Sequence, residues 1–337
     1  MTGHDVALTA AKPRQPKLAR LNFCPPEPAM PSRDNLPQAL LLALAGYMIL
    51  SCGDAVMKSM AGAWPSLAGV ALRFALGAAG LGLIPAWEEG RAGFTAPRPL
   101  LPLARGAALA GASLAFIGSI FIMPMAEAVA ILFAGPIVTA LVSAVVLGEK
   151  LPRATWGAML LASIGVVIVL RPNVAELGWA ALLPLGSTII MSAFMLLNRE
   201  TARDASPLGA MFWASAWATP VCLAAAWIGH ASSVEAMHIG PLPASVLLRC
   251  AIVAVTASLA HSLIFMATTR ASAASIVPAG YVQIIMALAL GLIIFGDWPD
   301  GLALVGTTCI IAAGLWLWRA STRMGKRDED EIVEMPT

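Results

Sequence analysis

The chain alternates long apolar runs with short polar breaks between residues 36 and 319. Apolar and polar residues do not alternate within a run, as they would in a membrane strand, so the pattern favours helices. A helix needs roughly 20 mostly apolar residues to cross a bilayer. The sequence therefore predicts an all-α polytopic membrane protein with ten transmembrane helices, at residues 36–57, 66–87, 100–122, 125–147, 153–171, 178–198, 206–229, 244–269, 273–295 and 300–318.

Composition excludes the other broad classes of protein. Of the residues, 59% are hydrophobic and 12% are charged, whereas soluble domains carry roughly 25% charged residues. So few charges cannot cover the surface of a soluble protein of this length. The net charge of +2 provides no basic surface for nucleic acid. The predicted partners are therefore the lipid bilayer and a small-molecule substrate.

Polar segments flank the apolar region at both ends. Residues 1–35 are rich in proline and are predicted to form a disordered tail, and residues 320–337 form a charged tail. An even number of crossings places both tails on one side of the membrane. The breaks on the other side contain Lys58 and Arg171, whereas those on the tail side contain Arg91, Arg98, Lys150, Arg153, Arg199, Arg203 and Arg270. The positive-inside rule then predicts cytoplasmic termini in a multi-pass protein of the cell (inner) membrane.

The two halves of the apolar region share a pattern of glycine and acidic residues. In the first half, Gly148-Glu149 is followed by Gly157, Gly165 and Arg171. In the second half, Gly296-Asp297 is followed by Gly306, Gly314 and Arg319. The spacing predicts an internal repeat, with helices 1–5 in residues 36–171 and helices 6–10 in residues 172–319. Because five is an odd number, the two repeats would have opposite orientations in the membrane.

The first half resembles the repeat that defines the EamA family of the drug/metabolite transporter (DMT) superfamily. The residues that carry this resemblance are Pro136, Leu147-Gly148-Glu149-Lys150-Leu151, Trp156-Gly157 and Gly165, with Lys58 and Arg73 where the family often has a lysine and an arginine. The second half departs from the family pattern, since Asp297 replaces the usual glutamate. The resemblance implies two inverted five-helix repeats, a central substrate cavity and transport of small organic solutes.

Charged residues inside the predicted spans are candidates for substrate binding. A charge at the centre of a membrane helix costs roughly 2.5–3.5 kcal/mol on insertion scales, so each one needs a reason. Asp54, Lys58, Arg73 and Glu127 all fall in the outer half of the membrane. They are predicted to form a vestibule that holds a polar or charged group of the substrate. The alternative is internal ion pairing, above all between Asp54 and Lys58, which share one helix face, with Lys58 and Arg249 reaching the surface.

Three further polar residues complete the candidate site. His261 lies near the middle of the eighth span, where it would couple protons, bind substrate, or remain neutral and bonded to a neighbouring helix. Tyr281 and Gln283 lie in the ninth span and suit recognition in a mostly apolar cavity. They point about 200° apart on a helix, and we predict that Tyr281 faces the cavity. Asp297 and Glu149 end their spans at the interface, and we interpret both as structural.

No catalytic or metal-binding motif is present in the sequence. The patterns H-E-x-x-H, G-x-S-x-G and Walker A do not occur, and the four histidines and five cysteines are scattered, with no C-x-x-C. We therefore expect no cofactor and no metal. An ion channel is disfavoured because no selectivity-filter sequence occurs. A membrane-embedded enzyme remains the alternative from another functional class.

The sequence thus predicts a secondary transporter that works by alternating access. In the absence of an ATP site, it would use a gradient, exchange or passive equilibration, so protons or a counter-substrate are candidate partners. Export of an amino-acid-like or other polar metabolite is the default. The alternative is uptake or exchange of a charged metabolite such as S-adenosylmethionine, since Asp54, Lys58 and residues 296–300 resemble that branch of the family. A homodimer is left open.

Overall fold

The computed structural model describes residues 36–88, 100–135, 137–138, 141, 153–201, 207–270 and 279–333. These residues form helices joined by short turns, and no strand occurs among them. The α-helices are α1 (Leu36–Lys58), α2 (Ser66–Glu88), α3 (Leu100–Ile122), α4 (Met125–Leu132), α5 (Arg153–Leu177), α6 (Leu183–Thr201), α7 (Pro207–Ala231), α8 (Ala244–Arg270), α9 (Val282–Leu290) and α10 (Gly301–Val333). The predicted disordered tail, residues 1–35, lies outside the described residues.

The bundle has the dimensions and surface of a membrane protein. Among the described helices, six are long and apolar enough to cross a membrane, and shorter apolar helices occur at Ser66–Gly82, Thr155–Arg171 and Val282–Phe295. Large apolar side chains cover the outside, including Trp179 and Ile293, which are 87% and 80% exposed. Apolar patches of this extent are stable against lipid rather than water. The chain is therefore a multi-pass membrane protein.

The helices α1–α3, α7 and α8 follow the predicted spans, and the others depart from them. The fifth helix runs past its predicted end at residue 171 to Leu177, and a 3-10 turn, Gly178–Leu182, delays the start of α6 to Leu183. The predicted helix at 125–147 is interrupted at Phe133, because Pro136 has no N–H to donate to the carbonyl of Leu132, one turn earlier. Residues 136, 139–140 and 142–147 lie outside the described part of the chain. The ninth helix has a turn at Tyr281 and ends in a π-helical turn, Gly291–Phe295. At the carboxyl end, α10 continues to Val333, so most of the predicted charged tail is a continuation of the last helix.

Helices of the first half pack against helices of the second half. The main contacts join α1 to α8, α2 to α7, α3 to α6 and α7, and α5 to α10. In the α2–α7 pair, Gly82 near the end of α2 faces Phe212 near the start of α7, and Leu67 near the start of α2 faces Gly229 near the end of α7. These two helices are therefore antiparallel. The same holds for α5 and α10, because Gly157 faces Trp316 while Gly165 faces Gly306.

The crossing of α5 and α10 is a contact between main chains. A Cβ atom added to Gly165 would lie 2.6 Å from the carbonyl oxygen of Gly306, and one added to Gly306 would lie 2.7 Å from the carbonyl oxygen of Gly165. Distances under 3.0 Å are essentially never seen for real Cβ atoms. Small residues at helix contacts allow this close approach in membranes, where packing rather than water exclusion drives association.

Candidate functional site

A buried polar contact joins α1 to α9. The carboxylate of Asp54 accepts a hydrogen bond from the side-chain amide of Gln283 at 3.3 Å. One turn earlier on α1, the hydroxyl of Ser51 donates to the backbone oxygen of Gln283 at 3.1 Å. All three residues are less than 10% exposed. Because unpaired polar groups are unfavourable in an apolar bundle, these bonds fix how α1 and α9 face each other.

Arg73 on α2 brings a positive charge to the same region. Its guanidinium lies over the ring of Phe74, with 4.4 Å between Cζ and the ring centroid, and its charge attracts that of Asp54. The Nε atom of Arg73 is buried and has no hydrogen-bond partner in the structure. A buried donor without a partner costs about 1–3 kcal/mol. Arg73 is therefore suited to receive an acceptor from a bound molecule.

His261 on α8 bonds to its own helix. Its Nδ1–H donates to the backbone oxygen of Ala257 at 2.7 Å, and the residue is partly buried. This bond stays within α8, whereas the structural alternative is a bond to a neighbouring helix. When the ring is neutral, Nε2 carries the free lone pair. His261 is close enough to Arg73 and Arg105 for their charges to act on it.

Tyr281 occupies the turn before α9 and packs among aromatic rings. Its ring lies 5.2 Å from that of Phe133, between centroids, and Gly280 beside it faces both Phe133 and Tyr47. The Tyr281 hydroxyl is buried without a hydrogen-bond partner and lies against Gly314 of α10. Tyr281 and Gln283 thus face different helices, as their spacing predicts. A second buried polar atom is available here for a ligand.

Lys58 does not pair with Asp54, contrary to the pairing that the shared helix face suggested. Its ammonium group forms an ion pair with Asp297 and donates a hydrogen bond to the backbone oxygen of Met123 at 3.1 Å. It also lies over the ring of Phe295, 5.1 Å from the centroid. The end of the bundle that holds these residues is called the Lys58 end below. Asp54 is free to bond to Gln283 because Lys58 has another partner.

Two other predicted charges lie at the Lys58 end in different settings. Glu127 is buried in the first turn of α4, where the helix dipole favours a negative charge. Arg249 of α8 donates a hydrogen bond to the backbone oxygen of Ser59 at 2.8 Å, just past the end of α1. Arg249 therefore stabilises the carboxyl end of α1 instead of extending to the surface.

Three polar residues that the structure buries or pairs were not among the sequence candidates for the site. Arg105, at the opposite end of the bundle, is only 3% exposed, and its Cζ lies 5.4 Å from the ring centroid of Phe194. It looked like an interfacial residue because it follows a polar break. Tyr47 carries no charge and lies within an apolar run, so the sequence pattern gives no signal for it. Asp297 was interpreted as a helix end, although its acidic side chain was a candidate partner for any lysine at the same membrane face.

Comparison with known proteins identifies the type of molecule. A model of the EamA-like transporter family matches residues 37–171 and again residues 178–319. The chain is 27% identical over 217 residues to a riboflavin transporter of Rhizobium johnstonii, covering 63% of this chain and 68% of that protein. It is 24% identical over 289 residues to a pseudopaline exporter of Pseudomonas aeruginosa, covering 85% and 98%. A second riboflavin transporter, from Vibrio cholerae, is 24% identical over 212 residues, covering 62% and 67%.

A solved crystal structure shares the fold. It superposes with a TM-score of 0.55 at 20% sequence identity, and the match covers 86% of this chain and 99% of the other. The relatives are named as transporters and not as enzymes. The two family matches together span both halves of the helical bundle, with the candidate polar residues inside them. The chain therefore belongs to the EamA-like transporter family, within the drug/metabolite transporter superfamily, and is a small-molecule transporter by type.

Proposed function

We propose that the protein is a secondary transporter that moves an anionic or zwitterionic organic metabolite by alternating access. The observation that carries this proposal is the group of buried polar side chains between the two halves. Asp54 and Gln283 bond to each other inside an apolar bundle, Arg73 is near enough for its charge to act on Asp54, and Arg73 keeps a buried donor without a partner. Arginine offers a planar fork that matches a carboxylate. Such a group is expected where a polar solute must be received away from water.

The direction of the helices supports two inverted five-helix repeats. If the halves correspond in order, α7 is the counterpart of α2 and α10 is the counterpart of α5. Both pairs are antiparallel, as an inverted relation requires. The same correspondence relates α1 to α6 and α3 to α8. It therefore turns the contact between α1 and α8 into the contact between α6 and α3, which also occurs. We infer ten crossings on this basis, with the Lys58 end facing outward.

Labelling in intact cells tests the orientation. With both termini in the cytoplasm of the inner membrane, single cysteines placed at 230–240 are expected to react with a membrane-impermeant thiol reagent added outside. Cysteines at 90–98 are expected to react only after the membrane is permeabilised. The reason is the concentration of lysine and arginine in the breaks on the side of the tails. The reverse pattern of labelling would show that the orientation is wrong.

The relatives indicate which solutes to test first. Riboflavin is the named substrate of two of them and pseudopaline of another. Export of a metabolite of this polar kind is the default proposal. Uptake or exchange of a charged metabolite such as S-adenosylmethionine is the alternative, with protons or a counter-substrate driving it.

A thermal-shift screen of the purified protein, followed by flux in liposomes, tests this function. A ligand that binds only the folded state stabilises it by about 2.7 kcal/mol at about 100 times its Kd, which raises the Tm measurably. We expect a stabilising solute to carry a carboxylate or another anionic group and to cross liposomes that contain the protein. Liposomes containing Arg73→Ala protein are the control. Flux of neutral solutes alone, riboflavin among them, would contradict the anionic or zwitterionic substrate and leave the transport function, whereas turnover of a solute into a product would contradict the transport function.

A further inference from the structure

At the Lys58 end, an ion pair joins α1 to the segment after α9. Lys58 belongs to the first matched range and Asp297 to the second, so the pair joins the two halves. One turn below on α1, Asp54 bonds to Gln283, so the same face of α1 is held to α9 at two levels. Any path from the candidate site to the Lys58 end along this face requires the upper contact to separate.

The backbone after α9 is shaped to deliver Asp297 to this position. The π-helical turn Gly291–Phe295 is followed by Gly296 with φ of +68°, a left-handed conformation that glycine adopts without a steric penalty. The reversal lets the N–H of Asp297 donate to the backbone oxygen of Gly291 at 3.0 Å. The carboxylate is thereby turned back over the end of the helix, toward Lys58.

Each partner of the ion pair keeps some stabilisation when the pair separates. Lys58 lies in the last turn of α1 and bonds to Met123, just past the end of α3, so two helix carboxyl ends favour its positive charge. Asp297 has a side chain that is 23% exposed and can be hydrated, whereas the Lys58 side chain is 10% exposed. The two charges are paired in the structure. When they separate, neither charge is left buried without a stabilising interaction.

We infer that the Lys58–Asp297 ion pair is a reversible latch that holds the Lys58 end of the bundle closed and opens once in each transport cycle. This inference rests on the proposed alternating-access function and adds to it the contact that must break. It assigns to Asp297 a role in the cycle. The carboxylate of Asp297 pairs with the ammonium group of Lys58 whenever no anionic group of a substrate lies beside it.

Reactivity of a buried cysteine tests the latch without a known substrate. Ser51 is fully buried on α1, below the ion pair, so Ser51→Cys in a background without native cysteines reports access from the Lys58 end. The combined variant Lys58→Met with Asp297→Asn removes both charges and leaves neither one unpaired. We expect the cysteine to react with an impermeant thiol reagent on the order of tenfold faster in this variant, since the ion pair no longer biases the closed state.

Two control variants separate a latch from a structural contact. The exchange variant, Lys58→Asp with Asp297→Lys, restores an ion pair but places a negative charge at two helix carboxyl ends, so it is expected to return the labelling rate only part of the way to that of the parent. Arg171→Ala removes the pair between Arg171 and Asp300, whose side chains are 63% and 50% exposed, and is expected to change nothing. Unchanged labelling in the neutral variant would overturn the latch.

Cross-linking tests the latch independently of whether the neutral variant folds. Cysteines at positions 58 and 297, joined by a short reducible cross-linker, are expected to stop flux of a solute found in the screen, and a reductant is expected to restore it. Flux that continues through fully cross-linked protein would overturn the latch while leaving the transport function intact. Absence of flux in the parent protein for every solute would instead count against the proposed function, and the labelling result would still decide the latch.

Discussion

Replacing Arg73 by alanine is expected to lower the initial rate of transport of a carboxylate-bearing solute by roughly tenfold to roughly a hundredfold. A hydrogen bond to a charged group contributes about 1.5–3 kcal/mol, which corresponds to that range. The Nε of Arg73 is buried without a partner, so removal of the side chain breaks no hydrogen bond made by this atom in the resting protein. The effect should therefore appear in transport and only weakly in the amount of folded protein. Flux in liposomes, normalised to protein content, measures it.

Two arginine variants make this result specific. Arg73→Lys keeps the charge but loses the planar fork, so it is expected to recover only part of the rate. Arg171→Ala removes a mostly exposed arginine at the membrane surface and is expected to transport as the parent does. Arg73→Ala protein that is folded and transports anionic solutes within twofold of the parent would remove Arg73 from the site.

Replacing Gly314 by alanine is expected to destabilise the protein by about 1–3 kcal/mol, the usual effect of an overpacked core. The added Cβ would lie 1.8 Å from the hydroxyl oxygen of Tyr281 and 3.1 Å from its Cζ. Tyr281 must then move, and Phe133 and Gly280 pack closely beside it. We expect a lower Tm and a loss of transport, both measurable on purified protein.

A double variant separates the clash from the role of the hydroxyl. Tyr281→Phe combined with Gly314→Ala removes the atom nearest to the new Cβ, so part of the stability should return. Transport should not return with it if the buried hydroxyl binds substrate. Gly186→Ala is the matched control, because its added Cβ would meet nothing within 4 Å and alanine favours a helix. Equal Tm values for Gly314→Ala and Gly186→Ala would show that the packing at Tyr281 is not tight.

The sequence predicted the helices well where a span is a single uninterrupted apolar run. The predicted third helix and α3 coincide at residues 100–122, because a polar break precedes the run and Pro124, which interrupts a helix, follows it. The ends of α4 and α9 were less predictable. Hydropathy is continuous across Phe133 and across the π-helical turn, so it carries no signal of the irregular backbone.

The partners of the polar residues could be predicted only in part. Spacing along α1 indicated that Asp54 and Lys58 share a face, but it could not tell which residues of α9 would face them. Lys58 and Asp297 are 239 residues apart, and their contact depends on the backbone reversal at Gly296. A pairwise pattern within one helix is local, whereas these contacts follow from how distant helices pack.

The main-chain contact between Gly165 and Gly306 constrains how the sequence can change over evolution. In most packed interfaces, a larger residue on one side is accommodated by a smaller residue on the other. Here the obstacle to a side chain on either helix is the carbonyl oxygen of the other, which every amino acid carries. No replacement at one position can therefore make room for a replacement at its partner. The two positions are each restricted to glycine independently, and they would show invariance rather than covariation.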